Sequence, residues 1–194
     1  HVKVMQASSK AYPEARLYRR TAAVIDHGQG RNYVVDCFEV EGGRTQDFVF
    51  HASAPSARIV GGRVAAAPDV KLYDFAAVRS IETQGGWSVT WPGTNGFTCV
   101  AWSLPQPGER SFITDGWGQR DWKNSDVGAT LPYLVRRTEG AGPKRFVSVF
   151  EAHAGAEGFV RGVRLDETAG ALVVETSLGS DHVLLPGGGG GAGG

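Results

Sequence analysis

The sequence predicts an all-β chain, a β-sandwich of stacked antiparallel sheets with little or no helix. Three observations carry this. Apolar residues recur with a period of two through most of the chain, as strands require, because successive side chains point to opposite faces. Between the alternating stretches come turn-forming clusters: GQGRN, EGGRTQ, PGTNG, QPGER, EGAGPK, ETAG and LGSD. No segment sustains a three-to-four-residue apolar repeat bounded by helix caps.

The stretches justify themselves in order. YVVDCFEV is apolar on both faces apart from Asp36 and Glu39, the pattern of a strand lying mid-sheet between two layers. DVKLYDFAAVRSI is the strongest helix candidate, although its flanks AAAP and ETQGG suit strands equally. WSVTW sets Trp87, Val89 and Trp91 on one face and Ser88 and Thr90 on the other. FTCVAWSL places Phe97, Cys99 and Ala101 opposite Val100, Trp102 and Leu104. RFVSVFEAH, FVRGVRL, ALVVET and HVLL continue the alternation. About twelve short strands at regular spacing fit a sandwich, and no internal repeat is visible.

Residues 1–186 read as one β-sandwich domain and residues 187–194 as a glycine-rich flexible tail, since PGGGGGAGG cannot bury a core. With His1 rather than Met in first place, the chain is expected to be a piece of a longer polypeptide. Its opening, HVKVMQASSK, lacks the apolar centre of a secretory signal. Hydrophobic residues make up 41 %, enough for a real core. Basic and acidic residues number 20 each, so global charge gives no case for nucleic acid or an anionic membrane as partner. No run approaches the ~20 apolar residues of a membrane helix. Cys37 and Cys99 sit inside apolar stretches and read as buried free thiols; pairing would require neighbouring strands with suitable geometry.

No complete catalytic set emerges from spacing. His51 follows Asp47 by four residues, which on a strand is the same face but about 13 Å away, too far for a dyad. His27, His153 and His182 are scattered and form no HxH or HExxH pattern, so no metal site within this chain is expected. There is no GxSxG elbow and no phosphate-binding loop. Asp115, Asp121 and Asp126 read as turn formers. Elimination chemistry on uronates needs a base, a group neutralising the carboxylate and often a tyrosine as proton donor. The tyrosines are Tyr12, Tyr18, Tyr33, Tyr73 and Tyr133, and none has a histidine or arginine at a telling spacing.

One loop stands out. GWGQRDWKNSD places Trp117 and Trp122 among charged and amide side chains. Tryptophan faces stack on sugar rings, and Arg120, Lys123 and Asn124 could bond hydroxyls, carboxylates or sulfates. The same tryptophans could instead anchor a long loop to the scaffold, each burying area worth ~2–3 kcal/mol. Both roles are open, and they are compatible if one ring packs and the other is exposed.

Four blocks in order, YRRTAAVID, YVVDCFEVEGGRTQDFVFHA, WGQRDWKNSDVGATLPYLVRRTEG and RFVSVFEAH, resemble the C-terminal β-sheet region of heparinase II/III-like polysaccharide lyases. The resemblance spans roughly residues 12 to 153. It implies a parent enzyme with an N-terminal α/α toroid, which eliminates across uronic-acid linkages in heparin, heparan sulfate, alginate and related acidic glycans, in the periplasm or outside the cell. Some members hold a structural zinc in the sheet region. The family's catalytic asparagine or histidine and its tyrosine come from the toroid, and its zinc ligands from an HxH segment that this chain lacks before YRRT. No catalytic or metal residue is therefore carried over, and His51, which matches a recurrent histidine, is expected to be structural. The expected partners are an acidic polysaccharide and the toroid. Trp117, Arg120, Trp122 and Lys123 are the candidate glycan-contacting residues. The alternatives are a stand-alone carbohydrate-binding module and a purely structural sandwich.

Overall fold

A computed structural model describes residues 1–118, 123, 125, 127–155 and 157–185. Among these there are thirteen strands and no helix. The strands are β1 (Val2–Ser8), β2 (Ala15–Asp26), β3 (Asn32–Gly42), β4 (Thr45–His51), β5 (Arg58–Ala66), β6 (Ala76–Pro92) and β7 (Phe97–Leu104). They continue as β8 (Arg110–Trp117), β9 (Thr130–Glu139), β10 (Lys144–Ala154), β11 (Val160–Asp166), β12 (Ala171–Thr176) and β13 (Gly179–Leu184). The expected all-β architecture holds. The glycine-rich tail lies outside the described residues.

Ten strands form one curled antiparallel sheet in the order β1-β2-β3-β10-β7-β6-β8-β9-β4, with β5 also paired to β6. The long strand β6 makes the curl. Its second half, Trp87–Pro92, pairs with β7, while its first half, from Ala76 to Ile81, pairs with β8. Between them Gln84, Gly85 and Gly86 bulge against β5, where the register jumps from Val60↔Ser88 to Gly62↔Thr83. Strands that bend in this way let one sheet serve as both layers of a sandwich. The front layer is β8, β9, β4 and the start of β6. The middle layer runs from the end of β6 through β7, β10, β3 and β2 to β1. The second sheet, β11-β12-β13, forms a third layer behind the middle one.

The period-two pattern allots side chains to these spaces. Trp87, Val89 and Trp91 point into the space between front and middle layers, meeting Ile113 and Leu134. The Trp91 indole N–H donates to the Pro132 carbonyl at 2.9 Å, tying β6 to the start of β9. On β3, Phe38 and Val40 face the front layer while Tyr33, Val35 and Cys37 face the small sheet. β3 is thus the doubly covered strand its sequence predicts. Cys37 and Cys99 are both free. They sit on opposite faces of the middle layer with β10 between their strands, so they cannot pair. Burial pushes the Cys37 thiol up to about 11, with Glu39 adding to the effect, and raises that of Cys99.

The segment read as a possible helix is instead a loop leading into β6, which begins at Ala76. Tyr73 and Ala77 adopt positive φ values of 53° and 49°, incompatible with a right-handed helix. Leu72 is fully buried against Phe112 and Val135 on the outer face of the front layer. The apolar residues that looked helical are therefore plugs for a sheet face.

One polar tie crosses the sandwich. Arg136 on β9 is wholly buried and meets Glu109 with Nε···Oε1 and Nη2···Oε2 distances of 2.8 and 2.9 Å. Its Nη1 donates to the Val147 carbonyl (2.9 Å) and Ser148 Oγ (3.0 Å) on β10, and Nη2 reaches the Leu104 carbonyl on β7. The guanidinium lies 5.5 Å from the Phe146 ring centroid. Removing one partner of a buried pair strands the other charge and costs about 3–5 kcal/mol, whereas replacing both with apolar residues can be neutral. Glu109→Ala is accordingly expected to lower urea-unfolding stability by ~3–5 kcal/mol, with Glu109→Leu/Arg136→Met recovering most of it. A second test concerns the β6 corner, where a Cβ on Gly86 would overlap the Val163 carbonyl of the small sheet. Gly86→Ala should destabilise by ~1–3 kcal/mol, read as a lower urea midpoint.

Candidate functional site

The register of β4 on β9 sets Asp47 opposite Arg137 and His51 opposite Tyr133, all on the outer face of the front layer. Arg137 grips Asp47 with two bonds, Nε to Oδ1 at 2.7 Å and Nη2 to Oδ2 at 2.6 Å. The loop plugged by Leu72 adds Tyr73, whose hydroxyl donates to Asp47 Oδ2 at 2.7 Å. Desolvation, and secondarily the Asp47 carboxylate, push the Tyr73 hydroxyl up to about 12, so it remains a donor at any physiological pH. The bond to Asp47 keeps the Arg137 guanidinium charged and raises its pKa. Tyr73 holds a left-handed backbone that non-glycine residues seldom adopt, and the buried Leu72 and the bonded hydroxyl fix it there.

Next to this triad runs an aromatic row. Phe75 lies 5.4 Å from Tyr73, 4.8 Å from Tyr133 and 5.4 Å from Trp117, the last edge to face. His51 stacks on Tyr133 at 4.3 Å. Gly116 makes room for the row, since a Cβ there would meet the Tyr133 ring at 2.6 Å. Trp117 is 60 % exposed, and its carbonyl accepts the Tyr133 hydroxyl at 2.9 Å. On the other side of the triad, a groove of about 570 Å³ separates β4 from the start of β2, with Tyr12 and Tyr18 on its far wall. Those two rings are 4.9 Å apart.

Of the four sequence-predicted contact residues, Trp117 presents an open ring and Lys123 lies exposed in a turn. Arg120 and Trp122 lie outside the described residues. Asp47, Tyr73, Phe75, Tyr133 and Arg137 join the site although spacing gave no sign of them. They come from three separate strands or loops, and only the β4–β9 register brings them together. Trp117 is mostly exposed and so does not anchor its loop, Trp122 lies outside the described residues, and Leu72 anchors a different loop, the one before β6.

The arrangement is an open surface of flat rings alternating with fixed donors and acceptors. It suits stacking and hydrogen bonding to a chain of rings. His51 and Tyr133 do not form an acid–base pair across a bound ligand: their rings lie against each other, and the tyrosine hydroxyl is engaged with a carbonyl. Among the described residues no three His, Cys, Asp or Glu side chains are grouped to hold a metal ion. The zinc of the resembled family therefore finds no donor set in them. No described helix is long and apolar enough to cross a membrane.

No family model matches the chain, and no curated protein matches it. Solved structures do. The heparan sulfate lyase HepC from Pedobacter heparinus, as reported in one crystal structure and in a second of a mutant, superposes with a TM-score of 0.59 at 15 % identity. The match covers 95 % of this chain and 26 % of that one. The likeness is one of fold. This chain spans about a quarter of that lyase.

The raised Tyr73 hydroxyl gives a pH test. A group whose pKa is higher folded than unfolded contributes stability in full below the unfolded value, and loses it as pH rises through the folded one. Stability should therefore fall between pH 10, the ordinary value, and about 12. Tyr73→Phe should show a shallower decline over that window in urea-unfolding curves. An identical slope in both proteins would remove Tyr73 from the account.

Proposed function

We propose that this chain is the non-catalytic β-sandwich domain of a heparinase II/III-like polysaccharide lyase. It would support the catalytic α/α toroid and wall one side of the cleft for an acidic polysaccharide. The observation that carries the reading is the extent of the fold likeness: nearly all of this chain matches a quarter of a heparan sulfate lyase. The four sequence blocks point the same way independently. In this reading the parent eliminates across uronate linkages in the periplasm or outside the cell, and the base and proton donor belong to the toroid.

The glycan-facing surface would be the aromatic row with its Asp47–Arg137–Tyr73 edge, together with Arg120, Trp122 and Lys123. Trp117 offers a ring face to a sugar, and Arg137, already held in place by Asp47, offers its remaining N–H groups to hydroxyl or anionic oxygens. The open row also favours a second reading, a stand-alone carbohydrate-binding module, which needs the same surface and no toroid.

Affinity electrophoresis in gels containing heparin or alginate tests the surface. The wild-type chain should be retarded, and Trp117→Ala should lose at least half of the retardation with its unfolding midpoint unchanged, because the ring is mostly exposed. Absence of retardation in both gels would reject the glycan readings. The unsaturated uronate chromophore should not accumulate when the chain is incubated with either polymer, and measurable turnover would overturn the non-catalytic assignment.

A further inference from the structure

The turn between β6 and β7 holds a reactive group that the proposed function leaves unused. Where glycine follows asparagine, the glycine nitrogen can attack the asparagine carboxamide. Glycine has no Cβ to block the approach, and its backbone bends freely enough to close the five-membered ring. The chain has three asparagines, Asn32, Asn95 and Asn124, and only Asn95 precedes a glycine. Asn32 precedes the buried Tyr33 and is held in the β3 ladder against Asp26. Asn124 lies outside the described residues. Asp115 also precedes a glycine, but Gly116 is paired with Leu131 inside the sheet, and Arg79 Nη2 holds the Asp115 carboxylate at 2.9 Å.

Asn95 and Gly96 are exposed. The Gly93 N–H closes the turn beneath them by donating to the Phe97 carbonyl at 2.8 Å. The Asn95 side chain folds back over this closure, and its Oδ1 accepts the Phe97 backbone N–H at 3.2 Å. That bond has two consequences. It holds the carboxamide against the backbone of its own turn. It also places a donor on the oxygen where negative charge collects when a nucleophile adds to the carboxamide carbon. The nucleophile is unencumbered. The Gly96 N–H has no hydrogen-bond partner among the described residues, and nothing lies within 4 Å of where a Gly96 Cβ would stand. With a φ of 83°, Gly96 also occupies a region that few other residues adopt.

We propose that Asn95 is a site of spontaneous covalent modification in the folded chain, with water as the co-reactant. The Gly96 nitrogen gives its proton to hydroxide and bonds to Asn95 Cγ. The Cγ–Nδ2 bond then breaks, and Nδ2 takes a proton from water and leaves as ammonia. The resulting cyclic imide adds water at either carbonyl. Addition at Cγ breaks the new bond and gives aspartate. Addition at the main-chain carbonyl breaks the original peptide bond and gives an isoaspartyl linkage, in which the main chain runs through Cβ and Cγ. Both products add one negative charge to a chain whose acidic and basic residues balance. The isoaspartyl product also lengthens the turn by one methylene and removes the side-chain oxygen that holds the Phe97 N–H, loosening the start of β7. The inference is independent of the proposed function.

The test is to age the full chain at mildly alkaline pH, digest it with trypsin and follow the fragment from Ser80 to Arg110 by mass spectrometry. That fragment should gain about 1 Da, localised to Asn95 by fragment ions, and should resolve into two products that co-elute with synthetic aspartyl and isoaspartyl standards. Gly96→Ala should slow the conversion roughly tenfold, and Asn95→Gln should abolish it. Native wild type should convert no slower than the same chain unfolded in guanidinium, a comparison that depends on no variant folding. In the aged protein the Phe97 amide should exchange with solvent faster than in fresh protein. A native chain that stays unmodified while the unfolded chain converts would show that the turn protects Asn95, which overturns the site. Equal rates in wild type and Gly96→Ala would overturn attack by the Gly96 nitrogen, and a mass gain placed only on Gln84 or Gln106 would overturn the assignment.

Discussion

Burying Arg136 at the centre of the sandwich constrains nearly everything else. A guanidinium with no access to water must find a counter-charge and acceptors for its remaining donors. Here they come from the turn after β7 and from the backbones of β7 and β10, while the side chain itself starts on β9. The front and middle layers can therefore approach at only one distance and one offset. The aromatic packing of Phe48 on Phe146 and the Trp91 bond to Pro132 fit that same offset.

The constraint reaches the surface through the pleat. Because neighbouring residues on a strand point to opposite faces, fixing Arg136 inward fixes Arg137 outward. Arg137 then stands where Asp47 of β4 can grip it and where Tyr73 closes the triad. The outer site is thus held by covalent continuity with the interior tie, and by a loop whose strained tyrosine is pinned at Leu72. For the proposed glycan, a row of rings held by strand pairing would spare the cost of ordering a mobile segment on binding.

The third layer is attached by a different logic. Asp181 of β13 accepts the Tyr33 hydroxyl at 2.6 Å and lies 2.8 Å from His27 Nε2, while Glu151 holds the first residues of β11. Both clasps are polar contacts at the margin of an apolar interface formed by Val35, Val147, Val149 and Leu172. The apolar contact supplies most of the burial, and the clasps set where the small sheet stops. The small sheet also reaches the corner of β6, where the Val163 carbonyl closes on Gly86.

The all-β class, the doubly covered character of β3 and the shared face of Trp87 and Trp91 were legible in the sequence, because each follows from a period of two read over a few residues. The loop before β6 was not. Its apolar residues share the spacing of a helix, and only the sheet face beneath them shows that they are plugs. Of the residues in the outer row, the sequence singled out Trp117 alone as a contact residue. Asp47 and His51 are four residues apart, but their partners across the ladder, Arg137 and Tyr133, lie 90 and 82 residues further along the chain. Local pattern determines which residues form strands and which face is apolar. Register, curl and the order of strands depend on contacts between distant segments, so tertiary structure alone decided which polar and aromatic side chains would meet.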